Sequence, residues 1–337
     1  MINLLDLNLN ELTNLIISLD EQKYRAKQVF DWLSKGKTID EMANIPSSLK
    51  TKLCEISYVS LPKIRDVLIS KDGTRKYLFS YDDGIMIESV FMKYKFGNSI
   101  CVSTQAGCRM GCKFCASTIN GLERNLTPGE ILGEILACIN ETNESISHIV
   151  LMGTGEPFDN YENVSKFINL VHDNLNISMR NITVSTSGII PNILRFANDF
   201  KEVNLAISLH FATDELRSNF MPINNSYHLE ELIDTVKEYI KITNRRVTFE
   251  YTLVKDVNDR DYDARNLINL LKGMLCHVNL IPLNEVKETG LKTTEIKRAF
   301  EFQKILMDSG INTTVRRELG DDIKAACGQL RLSKKSN

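Results

Sequence analysis

Several features are missing from this 337-residue sequence, and each absence narrows its reading. No run of eighteen apolar residues occurs, so no membrane-crossing helix is expected. The first ten residues lack the basic start and apolar core of a secretory leader, which places the chain in the cytoplasm as an expectation. There are no internal repeats and no low-complexity segment, and only the tail 332–337 reads as disordered. Positive charge is not in excess. The net charge is −2, so any contact with nucleic acid must come from a local basic face. Cys-x-x-Cys spacing has no second copy, and His148 lies too far along to complete a compact zinc finger.

Eight cysteines are present: Cys54, Cys101, Cys108, Cys112, Cys115, Cys138, Cys276 and Cys327. In a chain this long without a leader, they point to metal binding or catalysis before structural disulfides. Cys108, Cys112 and Cys115 form Cys-x-x-x-Cys-x-x-Cys on one turn. Three thiolates can hold three irons of a cubane iron–sulfur cluster and leave the fourth iron open to a small molecule. A zinc knuckle or scattered buried thiols is the bland alternative. Cys54, Cys138 and Cys276 match no motif and read as core, and Met110 and Met152 as packing.

Residues 1–63 read as a helical domain. Leu12, Ile16, Ile17 and Leu19 form one apolar stripe, and Ala26, Val29, Phe30 and Leu33 another. A short helix is expected from Asp40 and another from Pro46. The cluster Lys23, Arg25, Lys27, Lys35 and Lys37 is either a solvated face or an RNA-docking surface. Residues 64–98 carry β-rich runs separated by Asp-Gly turns, an antiparallel extension. From residue 99 to 331, apolar β-branched runs alternate with amphipathic helices, the pattern of a parallel sheet covered by helices. Six βα units are too few to close an eight-unit barrel. The expected fold is α/β, a partial (βα)6 barrel; a doubly wound sheet is the alternative. In either, function gathers at the C-terminal strand ends. There lie the cysteine turn, Gly153 to Pro157, Ser185 to Gly188, Ser208 to His210, and Pro282 to Asn284.

The cysteine turn with Phe114, followed by Gly155-Glu156-Pro157, resembles the radical S-adenosylmethionine enzymes. Cys101 to Cys108, Arg124 to Thr127, Arg217 to Pro222 and Asp322 to Leu330 narrow the resemblance to the RlmN family, RNA methyltransferases acting on carbon 2 of adenosine. The resemblance is strong over about residues 80–331 and looser over the N-terminal helices. It implies that Cys108, Cys112 and Cys115 hold a 4Fe–4S cluster. S-adenosylmethionine would bind its open iron, two molecules being used per turnover. Gly155 and Glu156 would meet its amino end, and Ser187, Ser208, Leu209, His210 and Asn284 the rest. Carbon 2 of adenine is not a nucleophile, so ordinary methyl transfer cannot reach it. The resemblance implies instead that Cys327 is methylated, that a 5′-deoxyadenosyl radical activates this methyl group, and that it adds to carbon 2. Glu88 would then take the carbon 2 proton, and Cys101 would release the product as a Cys101–Cys327 disulfide.

The implied substrates are 23S ribosomal RNA and tRNA. The implied partner is an electron donor such as flavodoxin or ferredoxin, to a monomeric enzyme with no membrane. Thr154 departs from the family's usual Met. Cfr enzymes, which methylate carbon 8, carry Gly-Glu-Ala, so Pro157 together with Arg316 to Gly320 favours carbon 2. The remaining alternative is an RNA-binding protein with a purely structural cluster. Arg109, Lys113, Arg124, Arg245, Arg246, Arg316 and Arg317 are candidates for a basic mouth.

Overall fold

The computed structural model describes residues 1–316 and 319–323; Cys327, Arg317 and the tail 332–337 lie outside the described residues. Three helices come first: α1 Leu9–Ser18, α2 Tyr24–Leu33 and α3 Ser47–Ile56. Asn8 and Glu11 close a capping box at the start of α1, each side chain accepting the other's backbone N–H. The expected helix at Asp40 is one 3₁₀ turn, Ile39–Glu41, because Thr38 and Glu41 cap each other across three residues.

A ten-stranded sheet follows, and its spatial order is its chain order. The strands are β1 Lys63–Ile69, β2 Arg75–Ser80, β3 Met86–Tyr94, β4 Gly97–Cys101, β5 His148–Leu151, β6 Ile182–Thr186, β7 Asn204–Ser208, β8 Val247–Leu253, β9 Cys276–Pro282 and β10 Thr313–Val315. β1 to β4 run antiparallel to one another, and β4 to β10 run parallel. The antiparallel strands thus continue the barrel sheet, with β4 belonging to both patterns.

Helices α4 Pro128–Thr142, α5 Tyr161–Leu175, α6 Ile190–Asp199, α8 Leu229–Thr243, α9 Asp261–Leu271 and α10 Ile296–Asp308 connect the parallel strands, with the short α7 Asp214–Phe220 before α8. This makes six βα units and a closing strand. The sheet is open, since β1 and β10 are its two ends. Its helix side is one continuous apolar core that also takes in Leu12, Phe30, Leu33 and Leu53 of the N-terminal helices. Asp6 accepts the Gly129 N–H at 2.7 Å, Glu11 pairs with Lys166 at 2.8 Å, and Ser34 donates to Asn174 at 2.8 Å. The N-terminal helices are therefore docked on α4 and α5. A Cβ at Gly129 would stand 2.6 Å from the Leu5 backbone, so this docking needs glycine there. Among the described residues no helix is long and apolar enough to cross a membrane.

Candidate active site

The cysteine loop leaves β4 through a small hairpin, Gln105–Gly107 with Leu122–Asn125. Gly107 has φ +77°, and a Cβ there would meet the Gly121 carbonyl at 2.0 Å, so only glycine lets the hairpin pinch shut. The Cys108 N–H donates to that same carbonyl at 3.0 Å. Cys115 N–H donates to Cys112 O at 3.1 Å, and Thr118 Oγ1 donates to both the Cys112 and Cys115 carbonyls. Arg109 pairs with Asp159, and the Lys113 N–H donates to the Phe220 carbonyl at 2.9 Å. Phe114 packs edge-on against His210, ring centroids 4.8 Å apart. Burial pushes the Cys108 thiol up to about 12 and the Cys112 thiol well above its ordinary value.

These three cysteines line a cavity of about 160 Å³ at the C-terminal ends of the parallel strands. Among the described residues, no three Cys, His, Asp or Glu converge as ligands of a single ion. A cubane spreads three thiolates over three irons, whereas a closed zinc site gathers four ligands on one ion. Every parallel strand from β5 onward feeds the cavity. Gly155 and Glu156 come after β5, Ser187 after β6, Ser208 from β7 and His210 just after it, Glu250 and Thr252 from β8, Asn284 after β9, and Arg316 after β10.

Glu156 is buried between two loops. One oxygen accepts the Phe158 N–H at 2.9 Å, the other the Ser187 N–H at 2.7 Å, and its own N–H donates to Gln105. Burial raises its pKa and these bonds oppose the rise. Gly155, at φ +110°, could carry no side chain: a Cβ would meet Gln105 at 2.7 Å. His210 Nδ1 accepts the Thr252 N–H at 3.2 Å, which leaves the ring proton on Nε2. Burial, and then the nearby Arg217, lower its pKa to about 3, so the ring is neutral. Leu209 lies between two lining residues, and its side chain points into the helix-side core.

Cys101 and Glu88 lie on the sheet's inner face, and neither lines this cavity. Cys101 is in register with Val90, and Glu88 is two residues along from Val90 on that same face. Val90, Met92 and Cys101 form a small buried cluster that Val150, Met152, Leu319 and Ile323 pack against. Met152 also lines the cavity. Glu88 is buried with Lys76 Nζ at 3.3 Å. The C-terminal segment reaches this cluster at Ile323, four residues before Cys327 in sequence. Gly320 N–H donates to Asp72 at 3.0 Å and Lys71 N–H to Asp322 at 3.4 Å, fastening the segment to the β1–β2 turn. No disulfide joins any two of the described cysteines.

Several expectations change. Cys54 is exposed on α3, not core. Met110 and Met152 line the cavity in addition to packing. Arg245 and Arg246 precede the first residue of β8, at the sheet end opposite the cavity, so they are not part of its mouth. Arg124 is committed to Asp83 and Glu130. Glu250 and Thr252 were not singled out from sequence, and Arg217 only as the first residue of a family motif, with no role in the site. The alternation Thr248-Glu250-Thr252 inside an apolar strand was the available signal, since it marks a polar inner face.

Two family models match: the radical SAM superfamily over residues 102–268, and the ribosomal RNA large subunit methyltransferase N-terminal domain over residues 2–59. The chain is 52% identical over 336 residues to a probable dual-specificity RNA methyltransferase RlmN of Clostridium novyi, covering 98% of each. It is 54% identical over 338 residues to the protein of the same name from Clostridium botulinum strain Hall, covering 99% of each. A crystal structure of a radical SAM methyltransferase from Sphaerobacter thermophilus superposes with a TM-score of 0.95 at 41% identity, covering 98% of this chain and 99% of that one.

Proposed function

The chain belongs to the RlmN family of radical S-adenosylmethionine RNA methyltransferases, and from that premise we propose that it methylates carbon 2 of adenosine in 23S ribosomal RNA, and of an adenosine beside the anticodon in tRNA. Its cofactors are a 4Fe–4S cluster and S-adenosylmethionine. Cys108, Cys112 and Cys115 are the cluster ligands in this reading, since they are the thiols that line the cavity. Gly155, Glu156, Ser187, Ser208, His210 and Asn284 surround the S-adenosylmethionine, with Leu209 contributing only its backbone. The bound cluster and S-adenosylmethionine supply the one-electron chemistry that activates a methyl group.

The chain's own residues do the rest. Cys327 accepts a methyl group on sulfur and carries it to carbon 2, which links the RNA to the protein. Glu88, buried on the inner face, removes the carbon 2 proton. The Cys101 thiolate then attacks the Cys327 sulfur. The S–S bond forms as the S–C bond breaks, and the electron pair leaves with the methylene carbon, which takes up a proton to become the new methyl group. A dithiol returns both cysteines to thiols. The supporting observation is the packing of Leu319 and Ile323 against the cluster that holds Cys101, a cluster that shares Met152 with the three-thiol cavity. The adenine must leave its stack to reach this interior. The enzyme works in this reading as a cytoplasmic monomer, reduced by a flavodoxin or ferredoxin.

Mass analysis of nucleosides from cells with and without the protein tests this. 2-Methyladenosine in 23S rRNA and tRNA should vanish with the gene; 8-methyladenosine as the product would replace this reading with the Cfr-like one. In Cys101→Ala, Cys327 should still be methylated but RNA should stay covalently bound, visible as a shifted band on a denaturing gel. Normal turnover by that variant would remove Cys101 from the chemistry.

A further inference from the structure

Arg217 is a fully buried guanidinium on α7, the helix whose end holds the cysteine loop at Lys113. Nη1 donates to Asn224 Oδ1 at 2.7 Å, and Nη2 donates to the Ser187 carbonyl. Nε has no hydrogen-bond partner among the described residues. Neither bonded partner is charged. The acid nearest in the network, Asp214, is reached only through Asn224, whose amide donates to it at 2.8 Å. The other groups whose charge bears on Arg217 are Cys112 and His210, and His210 is neutral. Burial lowers the guanidinium pKa to about 10, which still leaves it charged at neutral pH.

A buried cation whose hydrogen bonds all go to neutral groups is costly, and an anion brought near it lowers that cost. Cys112 lines the cavity and packs with Met221, directly after the Arg217 helix. As a cluster ligand Cys112 becomes a thiolate, and the three thiolates with their iron and sulfide carry net negative charge that deepens on reduction. We propose that Arg217 is the built-in counter-charge of the cluster, holding its iron in place and setting how readily it accepts an electron. Asn224 and Ser187 hold the two terminal nitrogens of the fork and leave Nε without a hydrogen bond among the described residues. The inference rests on the assignment of the cluster to Cys108, Cys112 and Cys115, and not on which RNA is methylated.

The test uses the full chain, reconstituted anaerobically without RNA, as parent, Arg217→Gln and Arg217→Lys. Gln keeps an amide for Ser187 but drops the charge; Lys keeps the charge but loses the fork. The Gln variant should lose iron to a chelator about tenfold faster than the parent. Its reduced-cluster paramagnetic resonance signal should emerge only at more negative potential, while the Lys variant stays nearer the parent on both measures. Gln and Lys variants that match each other would make Arg217 merely structural and overturn the inference. A parent that takes up no cluster would instead sink the ligand assignment. Should the Gln variant fail to fold, the unaltered protein decides: the Arg217 Nε–H resonance should shift or broaden away on cluster loading, and an unmoved resonance refutes the idea.

Discussion

At the scale of single residues, the site is set by what each polar group is denied. Glu156 is buried with both oxygens taken by backbone N–H groups, so it braces two loops in a fixed geometry. His210 is held neutral at left-handed φ +57°, accepting from Thr252 and resting on Phe114. Its folded pKa of about 3 lies below its ordinary value of 6.5, so the unfolded chain binds the extra proton. The stability this contributes is complete above pH 6.5 and is lost as pH falls toward 3. His210→Asn, which keeps an acceptor for the Thr252 N–H, should flatten the acid limb of the stability curve by about 1 kcal/mol per pH unit. Denaturant melts at pH 7, 6 and 5 read this out; an unchanged slope would show that His210 titrates normally. Gly153, Ser187 and Glu156 were legible as candidates because they end strands. Arg217 stood out only as the start of a family motif, because nothing in its local pattern says that its charge is buried.

At the scale of elements, β1 and β2 have a task beyond extending the sheet. Their turn holds Asp72, and the C-terminal segment hangs from it at Gly320. Partial burial pushes the Asp72 carboxyl up, but bonds from Thr74, Gly320 and Ser70 outweigh it and hold the pKa at about 2. The anchor is therefore at full strength above the ordinary value of 3.8 and fails only as pH falls through about 2. Asp72→Ala should leave the fold intact, since the residue is exposed. It should speed hydrogen exchange at Gly320 and slow methyl transfer to Cys327 several-fold. Unchanged exchange would show that the hydrophobic contacts of Leu319 and Ile323 suffice. The hairpin was visible in sequence from its Asp-Gly turn. Its partner 248 residues away was not, because a side-chain acceptor for a distant N–H leaves no periodic trace.

At the scale of the whole molecule, a near-neutral chain must sort its cations by end. Arg316 and Lys113 lie at the cavity end, whereas Arg245 and Arg246 lie at the other end of the sheet. Lys113→Gln should weaken RNA binding and reduce the salt slope by about 1, as the loss of one phosphate contact does. Arg246→Gln should change neither. Binding isotherms at several salt concentrations separate the two, and an equal loss in both variants would mean that RNA wraps the opposite end.

The sequence by itself determined the architecture and the three-cysteine loop. Period-2 and period-3.6 apolar patterns and the spacing of Cys108, Cys112 and Cys115 are local properties, and local patterns survive in one dimension. Only the tertiary structure decided that the chain leading to Cys327 packs on the cluster that holds Cys101, that the N-terminal helices rest on α4 and α5, and that Arg217 is buried with only neutral groups bonded to it. Those facts depend on contacts between residues far apart in the chain, where packing and the exclusion of water choose the neighbour and no local preference points to it.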